Sequence, residues 1–386
     1  MNPAVVVMAY DRPAVLQRLL ASLEAAHYPG DAEVCLHISI DRGPQGVHPG
    51  VLEAAERFNW QAGSKRVEVQ PERLGLVEHF YHCGDLACQY GSIILLEDDL
   101  AVSPVYYPFT AGALNFYAAD ERLAGVSLYA LWFNGYTHDP FIPLADDSDV
   151  YFLQIPYTQG QAFTAAQWER FRDWNHRQGA ASSGRALIHE MFQQFGGDEW
   201  FPARTRYLAE TGRYFVFPRV SLSTGLGDAG THFNRNSYFF QTPLQRFKTD
   251  YRYQALDAST AVYDSFYEIL PDRLNRLAPG LSDFEYSVDL NGTKSQHNLP
   301  YEFTLTSRPG RAPLRTYGKS AWPLEANVID SVPGKEIGLS RTADLKWGRL
   351  AEWKISKSRF AYFNRHRPLR LRRYVLLWLL EKLHLG

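Results

Sequence analysis

Cysteine, long apolar runs and net charge are all scarce in this chain of 386 residues. Three cysteines, Cys35, Cys83 and Cys88, stand at no regular spacing and form no C-x-x-C pair. Neither a disulfide framework nor a cysteine zinc site is therefore indicated, and a reducing cytoplasm is expected. The last apolar run, at residues 374–380, is too short to span a bilayer. No basic region or cleavage site precedes the first apolar stretch, so export is not expected. No G-x-G-x-x-G follows that stretch, which argues against a nicotinamide enzyme. The same turn lacks the Gly-rich or lysine-bearing loop of most phosphoryl-transfer enzymes. Internal repeats and low-complexity blocks are missing as well.

Net charge is close to zero at −2, but unevenly spread. Residues 341–386 hold 12 Lys/Arg against 3 Asp/Glu, a balance of +9, which leaves −11 on the first 340 residues. A body that acidic repels nucleic-acid phosphates, so no nucleic-acid partner is expected. The basic residues of 346–386 are interleaved with Trp347, Trp353, Phe360, Tyr362, Phe363, Tyr374 and Trp378. That pattern suits a helix lying on an anionic membrane surface, and equally a helix packed on the rest of the protein with its charges solvated.

What is abundant is apolar and aromatic: 45% hydrophobic residues, with 23 Tyr and 9 Trp, enough for a full α/β core. The first hundred residues alternate in period. Ala4-Val5-Val6-Val7-Met8-Ala9 reads as a strand, and Val15, Leu16, Leu19, Leu20 and Leu23 follow at helical spacing. Residues 34–40 and 66–69 read as strands, and 74–90 as a helix. This is the βαβ rhythm of a parallel sheet. Further strands are expected at 123–128, 151–155 and 214–218, with helices at 104–119, from 164, at 187–195 and at 199–210.

The most informative feature is Leu96-Glu97-Asp98-Asp99 at the end of the run Ser92-Ile93-Ile94-Leu95-Leu96. A run of this kind is a buried strand, so its three acids stand at the strand's carboxyl end, where open α/β sheets bind ligands. Adjacent carboxylates repel unless a cation or donor groups neutralise them. Two readings fit: a Mg²⁺ or Mn²⁺ site facing substrate phosphates, and an acidic surface turn. Asp146, Asp147 and Asp149 form a second acidic group, read here as a solvated loop in preference to a cation site.

Three segments in order, Ala9-Tyr10-Asp11-Arg12-Pro13, Ser39-Ile40-Asp41-Arg42-Gly43 and the stretch from Leu95 to Pro104, resemble the GT-A glycosyltransferases. The likeness is to the N-acetylglucosaminyltransferase I group and bacterial family 2-like enzymes, and it covers residues 4–235. It implies an α/β fold with a mostly parallel sheet flanked by helices and an irregular C-terminal extension. The domains implied are a catalytic domain at 1–236, a mixed α/β extension at 237–345 related to the acceptor, and the basic tail at 346–386.

The resemblance also implies roles. Asp99 is the Mn²⁺ or Mg²⁺ ligand, and His232, after the Gly-rich stretch Gly225-Leu226-Gly227, completes the shell or reaches the diphosphate. Ala9, Tyr10, Arg12, Asp41, Glu97, Asp98, Gly160 and Gln161 contact the nucleotide-sugar, with Asp41 accepting from a uracil-like base. Glu199, with Asp198 as the alternative, is the base that takes the acceptor's proton. Both acids also suit the first turn of a helix. The activity implied is inverting transfer from a UDP-linked sugar to a glycan or lipid-linked acceptor in bacterial surface polysaccharide synthesis, in the cytoplasm or at the inner membrane face. The alternatives are a nucleotidyl or phosphoryl transferase and a non-catalytic sugar-binding protein.

Overall fold

The computed structural model describes residues 1–30, 33–178, 187–195, 199–228 and 239–348, together with positions 372, 375 and 379. They form two compact units, one of Met1–Gly280 with Lys294–Asn298, the other of Leu281–Thr293 with the described residues from Leu299 on. The division expected at residue 236 falls inside the first unit.

The first unit opens with β1 (Ala4–Ala9), α1 (Pro13–Glu24), β2 (Leu36–Ile40), α2 (Pro49–Arg57), β3 (Lys65–Val69), α3 (Gly75–Tyr90) and β4 (Ser92–Glu97). All six residues of β1 are buried, as its unbroken apolar run requires. Pro13 starts α1, where a missing N–H is harmless, and the helix buries Val15, Leu16, Leu19, Leu20 and Leu23 as one stripe. Next come β5 (Leu100–Val102), α4 (Tyr106–Phe116), β6 (Leu123–Ser127), β7 (Val150–Leu153), β8 (Gln161–Thr164) and α5 (Ala165–Gln178). The unit is completed by α6 (Trp200–Thr211), β9 (Tyr214–Pro218), β10 (Ser223–Gly225), β11 (Val262–Tyr263) and α7 (Pro271–Leu277). The helix expected at 187–195 is a single 3₁₀ stretch, Glu190–Gln194.

Nine strands pair in the order β11-β7-β9-β6-β8-β4-β1-β2-β3. Five pairings are parallel and three antiparallel, so the sheet is mixed but mostly parallel, as expected. From β1 the chain moves outward through β2 to β3, then returns to place β4 on the other side of β1. The carboxyl ends of β1 and β4 therefore flank a topological switch point, where loops leave in opposite directions and open a crevice. A separate antiparallel ribbon of β5 and β10 grows from this edge, with Gly225 opposite Leu100.

Side chains alternate across the sheet. Val5, Val7, Ala9, Ile94, Leu96 and Ala162 share one core with Leu16, Leu20 and Tyr106. On the opposite side, the Gly84 position of α3 touches Trp168 of α5, which stacks on Phe163 of β8 at 4.8 Å.

The second unit has β12 (Tyr286–Asp289), β13 (Phe303–Thr306), β14 (Arg315–Tyr317), α8 (Leu324–Ile329) and β15 (Ile337–Arg341), with sheet order β12-β13-β15-β14. It is more regular than the irregular extension expected, because β13, β14 and β15 pair as antiparallel neighbours. Among the described residues no helix is long and apolar enough to cross a membrane.

Candidate active site

Glu97 is the last residue of β4, and its partner across the ladder is Met8 of β1. This register puts the turn Tyr10-Asp11-Arg12 beside Asp98 and Asp99. The Arg12 guanidinium bonds Asp98 Oδ1 and, at 3.1 Å, Asp99 Oδ2. Asp98 also accepts from the Tyr10 backbone. The exposures differ: the side chains of Arg12, Asp98 and Asp99 are 26%, 6% and 32% accessible.

Neutralisation of the cluster is now traceable. Burial works against the Arg12 charge, but Asp98 and Asp99 outweigh it and raise the Arg12 pKa. Asp98 is pushed up to about 6, by burial first, with Arg12 opposing and Asp99 adding to the rise. Glu97 is pushed up to about 8 by burial and then by the charges of Asp99 and Asp98. The shift favours the protonated form of Glu97, which can donate one hydrogen bond and accept others. The acidic surface turn is not what forms, since Asp98 is buried and ion-paired.

Asp99 gives Arg12 only one oxygen and faces solvent with part of its carboxylate. Hard oxygen donors of this kind suit Mg²⁺ or Mn²⁺, which commonly use one or two carboxylates and take the remaining ligands from water and substrate phosphates. Among the described residues no group of three or more His, Cys, Asp or Glu forms a closed cage. The residues fit an open site of that kind, with Asp99 as the protein ligand. Just past β10, Leu226 N–H donates to the Asp99 carbonyl at 3.1 Å. Asp228, two residues on, pairs with Arg18 of α1. His232 and Asp198 lie outside the described residues, as does most of the basic tail.

Asp41 directly follows β2, and its backbone N–H bonds the Ala9 carbonyl at 2.9 Å. Its carboxylate accepts three backbone N–H groups, from Arg42, Leu74 and Gly75, each at 2.8 Å. It anchors the start of α3 as an N-terminal acid does. About one of its four lone-pair directions is left for a ligand. Tyr10 sits beside Gly43, where an added Cβ would lie 3.4 Å from its hydroxyl.

Gly160 has φ +89°, and a Cβ there would press on Leu96 and Leu128 at 3.3 Å. The glycine lets this turn lie against the end of β4. Gln161 departs from expectation: it is buried, and its Oε1 accepts from Arg204 of α6 instead of facing the crevice. The alternation of β8 explains this, because Gln161 lies opposite Leu95 on the α3–α5–α6 side of the sheet. Sequence reasoning passed over Arg204, although Trp200, Arg204 and Leu208 recur at four-residue spacing and are all buried.

Glu199 immediately precedes α6 and makes no side-chain capping bond, so the helix-cap role is not the one it fills. Strands β1, β4, β6 and β9 all run the same way. The chain passes from α6 into the amino end of β9, and α6 packs against α5 and α3. Trp200 fixes the start of α6 by stacking on Phe80 of α3, with centroids 4.0 Å apart and planes at 9°. The second acidic group is a correction: Asp146 is no solvated loop residue but accepts from Ser148, Ser259 and Arg219, while Asp149 pairs with Lys248 at 2.6 Å.

No protein-family profile matches the sequence, and a comparison with curated proteins finds no match either. Among solved structures, the chain is similar to TarS 1–349 of S. aureus, with 10% identity over 58% of this chain and 60% of that one, and a TM-score of 0.39. The same fragment solved with UDP gives a TM-score of 0.38 at 10% identity, with the same coverage. The mannosyltransferase PcManGT of Pyrobaculum calidifontis, solved with GDP-Man and Mn²⁺, is similar at 16% identity over 56% of this chain and 55% of that one, with a TM-score of 0.36. Each likeness spans 60% or less of the other chain and bears on neither substrate nor reaction.

Proposed function

We propose that this chain is a metal-assisted glycosyltransferase that moves a sugar from a nucleotide diphosphate, uridine-linked, onto a hydroxyl of a glycan or lipid-linked acceptor with inversion. The observation that carries the reading is the Arg12–Asp98–Asp99 constellation at the switch point between β1 and β4. A crevice of this kind suits a diphosphate, and the acids beside it suit its cation.

In this reading Asp99 holds a Mn²⁺ or Mg²⁺ ion. When bound, the ion neutralises charge on the leaving diphosphate. Asp98 stays with Arg12 and keeps the turn after β1 against the end of β4. Glu97 faces the hydroxyls of the donor sugar. Gly160 lets its turn lie against the end of β4 beside the sugar, and Asp41 offers its remaining lone pair to the base. Glu199 accepts the proton of the acceptor hydroxyl while that oxygen bonds to the anomeric carbon. The bond from this carbon to the diphosphate oxygen breaks, and the electron pair leaves with the diphosphate. An uncapped, partly exposed carboxylate is what a general base requires. The polysaccharide setting and the inner membrane face rest on the basic aromatic stretch 346–386 of the sequence, and a role in acceptor binding for 237–345 belongs to the same reading.

Calorimetric titration of the whole protein with UDP-, GDP-, dTDP- and CMP-sugars, with Mn²⁺ and with chelator, tests this. Saturable binding of a UDP-sugar that chelator abolishes is the expected result. Binding indifferent to chelator would assign the charge-neutralising role to Arg12 alone. No binding of any nucleotide-sugar in either condition would overturn the proposal.

A further inference from the structure

The turn into β8 carries two glutamines with different surroundings. Gln161 accepts from Arg204 with its Oε1. Gln159 has no comparable partner: its Oε1 is buried without a hydrogen bond among the described residues. We propose that the Gln159 amide holds a hydroxyl of the transferred sugar and so helps to select the donor. This inference rests on the transferase reading above.

Position is the first argument. Gln161, the first residue of β8, lies opposite Leu95 of β4 and Ser127 of β6 in two antiparallel ladders. The residues before it therefore lead to the carboxyl ends of both strands. Gly160 follows that course, since a Cβ there would lie 3.3 Å from Leu96 and from Leu128. Glu97, Asp98 and Asp99 come directly after Leu96. From the other side, Gln159 meets β10: a Cβ at Gly225 would lie 3.1 Å from both Nε2 and Oε1 of its amide. The residue after Gly225 is Leu226, whose N–H donates to the Asp99 carbonyl. The amide of Gln159 thus lies across Gly225, one residue from the backbone contact made by Asp99.

Chemistry supplies the second argument. The backbone around the amide is already fixed. Ser223 Oγ donates to the Gln159 carbonyl, Leu128 N–H to the Gly160 carbonyl at 3.1 Å, and Gly160 N–H to the Thr158 carbonyl at 3.0 Å. Little beyond side-chain torsions is left to order on binding. A buried acceptor without a donor is unfavourable in the free protein, and an apolar residue of similar length would fill the same space without that penalty. A ligand group that meets the amide removes the penalty. Gln159 is only half-buried, and a half-turn of its amide exchanges Oε1 and Nε2. A hydroxyl suits either orientation because it both donates and accepts, and a sugar ring carries several.

The test is calorimetric titration of the full chain, with Mn²⁺, using the UDP-, GDP-, dTDP- and CMP-sugars named above. The sugar that binds best is then compared with its sugar-free nucleotide, in the wild type and in Gln159→Met. The variant should bind the nucleotide-sugar about tenfold more weakly and the bare nucleotide equally well, with a melting temperature no lower than wild type. Gln159→Asn, which withdraws the amide by one methylene, should show the same selective loss. Monodeoxy analogues of the sugar identify the hydroxyl: one of them should bind the wild type about tenfold more weakly than the parent, yet bind Gln159→Met as the parent does. Wild-type affinity for the nucleotide-sugar in both variants would overturn this inference and leave the transferase reading standing. Equal loss of nucleotide-sugar and bare nucleotide, with a lowered melting temperature, would make Gln159 a structural residue and overturn it too. Absence of nucleotide-sugar binding by the wild type would overturn both.

Discussion

Replacing Arg204 by methionine should leave stability nearly unchanged, whereas replacing Gln161 by leucine with Arg204 in place should be clearly destabilising. Arg204 is 1% exposed, and burial pushes its pKa down to about 9 from 12.5. A depression of that size corresponds to roughly 5 kcal/mol against the charged form. The penalty is present at every pH below about 9 and fades only as pH rises from there toward 12.5, so substitution is a better probe than titration. Opposing it, the guanidinium lies 4.9 to 5.4 Å from the ring centroids of Phe163, Trp168, Phe171 and Phe215. Four such contacts contribute about 2 to 5 kcal/mol together. The Gln161 bond adds about 2 kcal/mol, as a hydrogen bond to a charged group does. These terms nearly cancel, so an apolar residue of similar length should fall within about 1 kcal/mol of wild type. Gln161→Leu removes the one hydrogen bond that Arg204 makes among the described residues, since its Nε and Nη2 have none, and should cost about 2 kcal/mol. Combined with Arg204→Met it should cost almost nothing more, a coupling of about 2 kcal/mol in a double-mutant cycle. Equilibrium urea unfolding of the three variants reads this directly. A neutral Gln161→Leu, or losses that simply add, would refute the reasoning.

Gly84→Ala should destabilise by about 2 kcal/mol despite the better helix propensity of alanine, because its Cβ would fall 2.1 to 2.6 Å from the ring atoms of buried Trp168. An unchanged urea midpoint would show that α3 and α5 are less closely packed than described. Asp146→Asn should cost about 2 kcal/mol at pH 7, where the wild-type carboxylate accepts from Ser148, Ser259 and Arg219. Burial alone would raise the Asp146 pKa, but these partners outweigh it and hold it below the usual value, so the contribution is present above about pH 4 and lost as pH falls through the lower folded value. The difference between the two proteins should therefore shrink as pH falls below about 4, and a constant difference down to pH 2 would count against the assignment. Glu199→Gln should bind donor as the wild type does and transfer about a hundredfold more slowly, as loss of a general base predicts; wild-type turnover would move the base elsewhere.

The parts of this fold that were legible in sequence are those governed by local period. The strand expected at 214–218 is Tyr214–Pro218, and the helix expected at 199–210 is Trp200–Thr211, because each carries its own apolar pattern. Partner choice was not legible. β8 is four residues long and reads as the entry to a helix, yet it pairs antiparallel with both β4 and β6, whose pairing edges lie far away in sequence. That one insertion turns Gln161 into the core. Asp41 was correctly read as ending a strand, but the amides it holds at Leu74 and Gly75 come from a helix start 33 residues on. The acids at 146–149 looked solvated because Arg219, Lys248 and Ser259, which neutralise them, follow 70 or more residues later.

The acidic cluster follows the same logic and leads to a last prediction. From sequence, three adjacent carboxylates called for a cation or donor groups to neutralise them, or else for an acidic surface turn. In the fold, Arg12 meets two of them, and burial with the charges of Asp99 and Asp98 shifts Glu97 toward its protonated form. Asp99 offers a partly solvated carboxylate that Arg12 does not saturate, and one such ligand gives a divalent cation little affinity unless phosphate oxygens add theirs. Mn²⁺ alone should therefore bind weakly, and a nucleoside diphosphate should tighten it by about tenfold or more, with the nucleotide tightened by Mn²⁺ to the same extent, because coupling between two ligands is reciprocal. Asp99→Ala should abolish that coupling while leaving any metal-free nucleotide binding in place. Calorimetric titration of Mn²⁺ with and without UDP measures both arms. Tight stoichiometric Mn²⁺ binding to the free protein would show that the cluster is a preformed metal cage, and that Arg12 gives way to the ion instead of standing beside it.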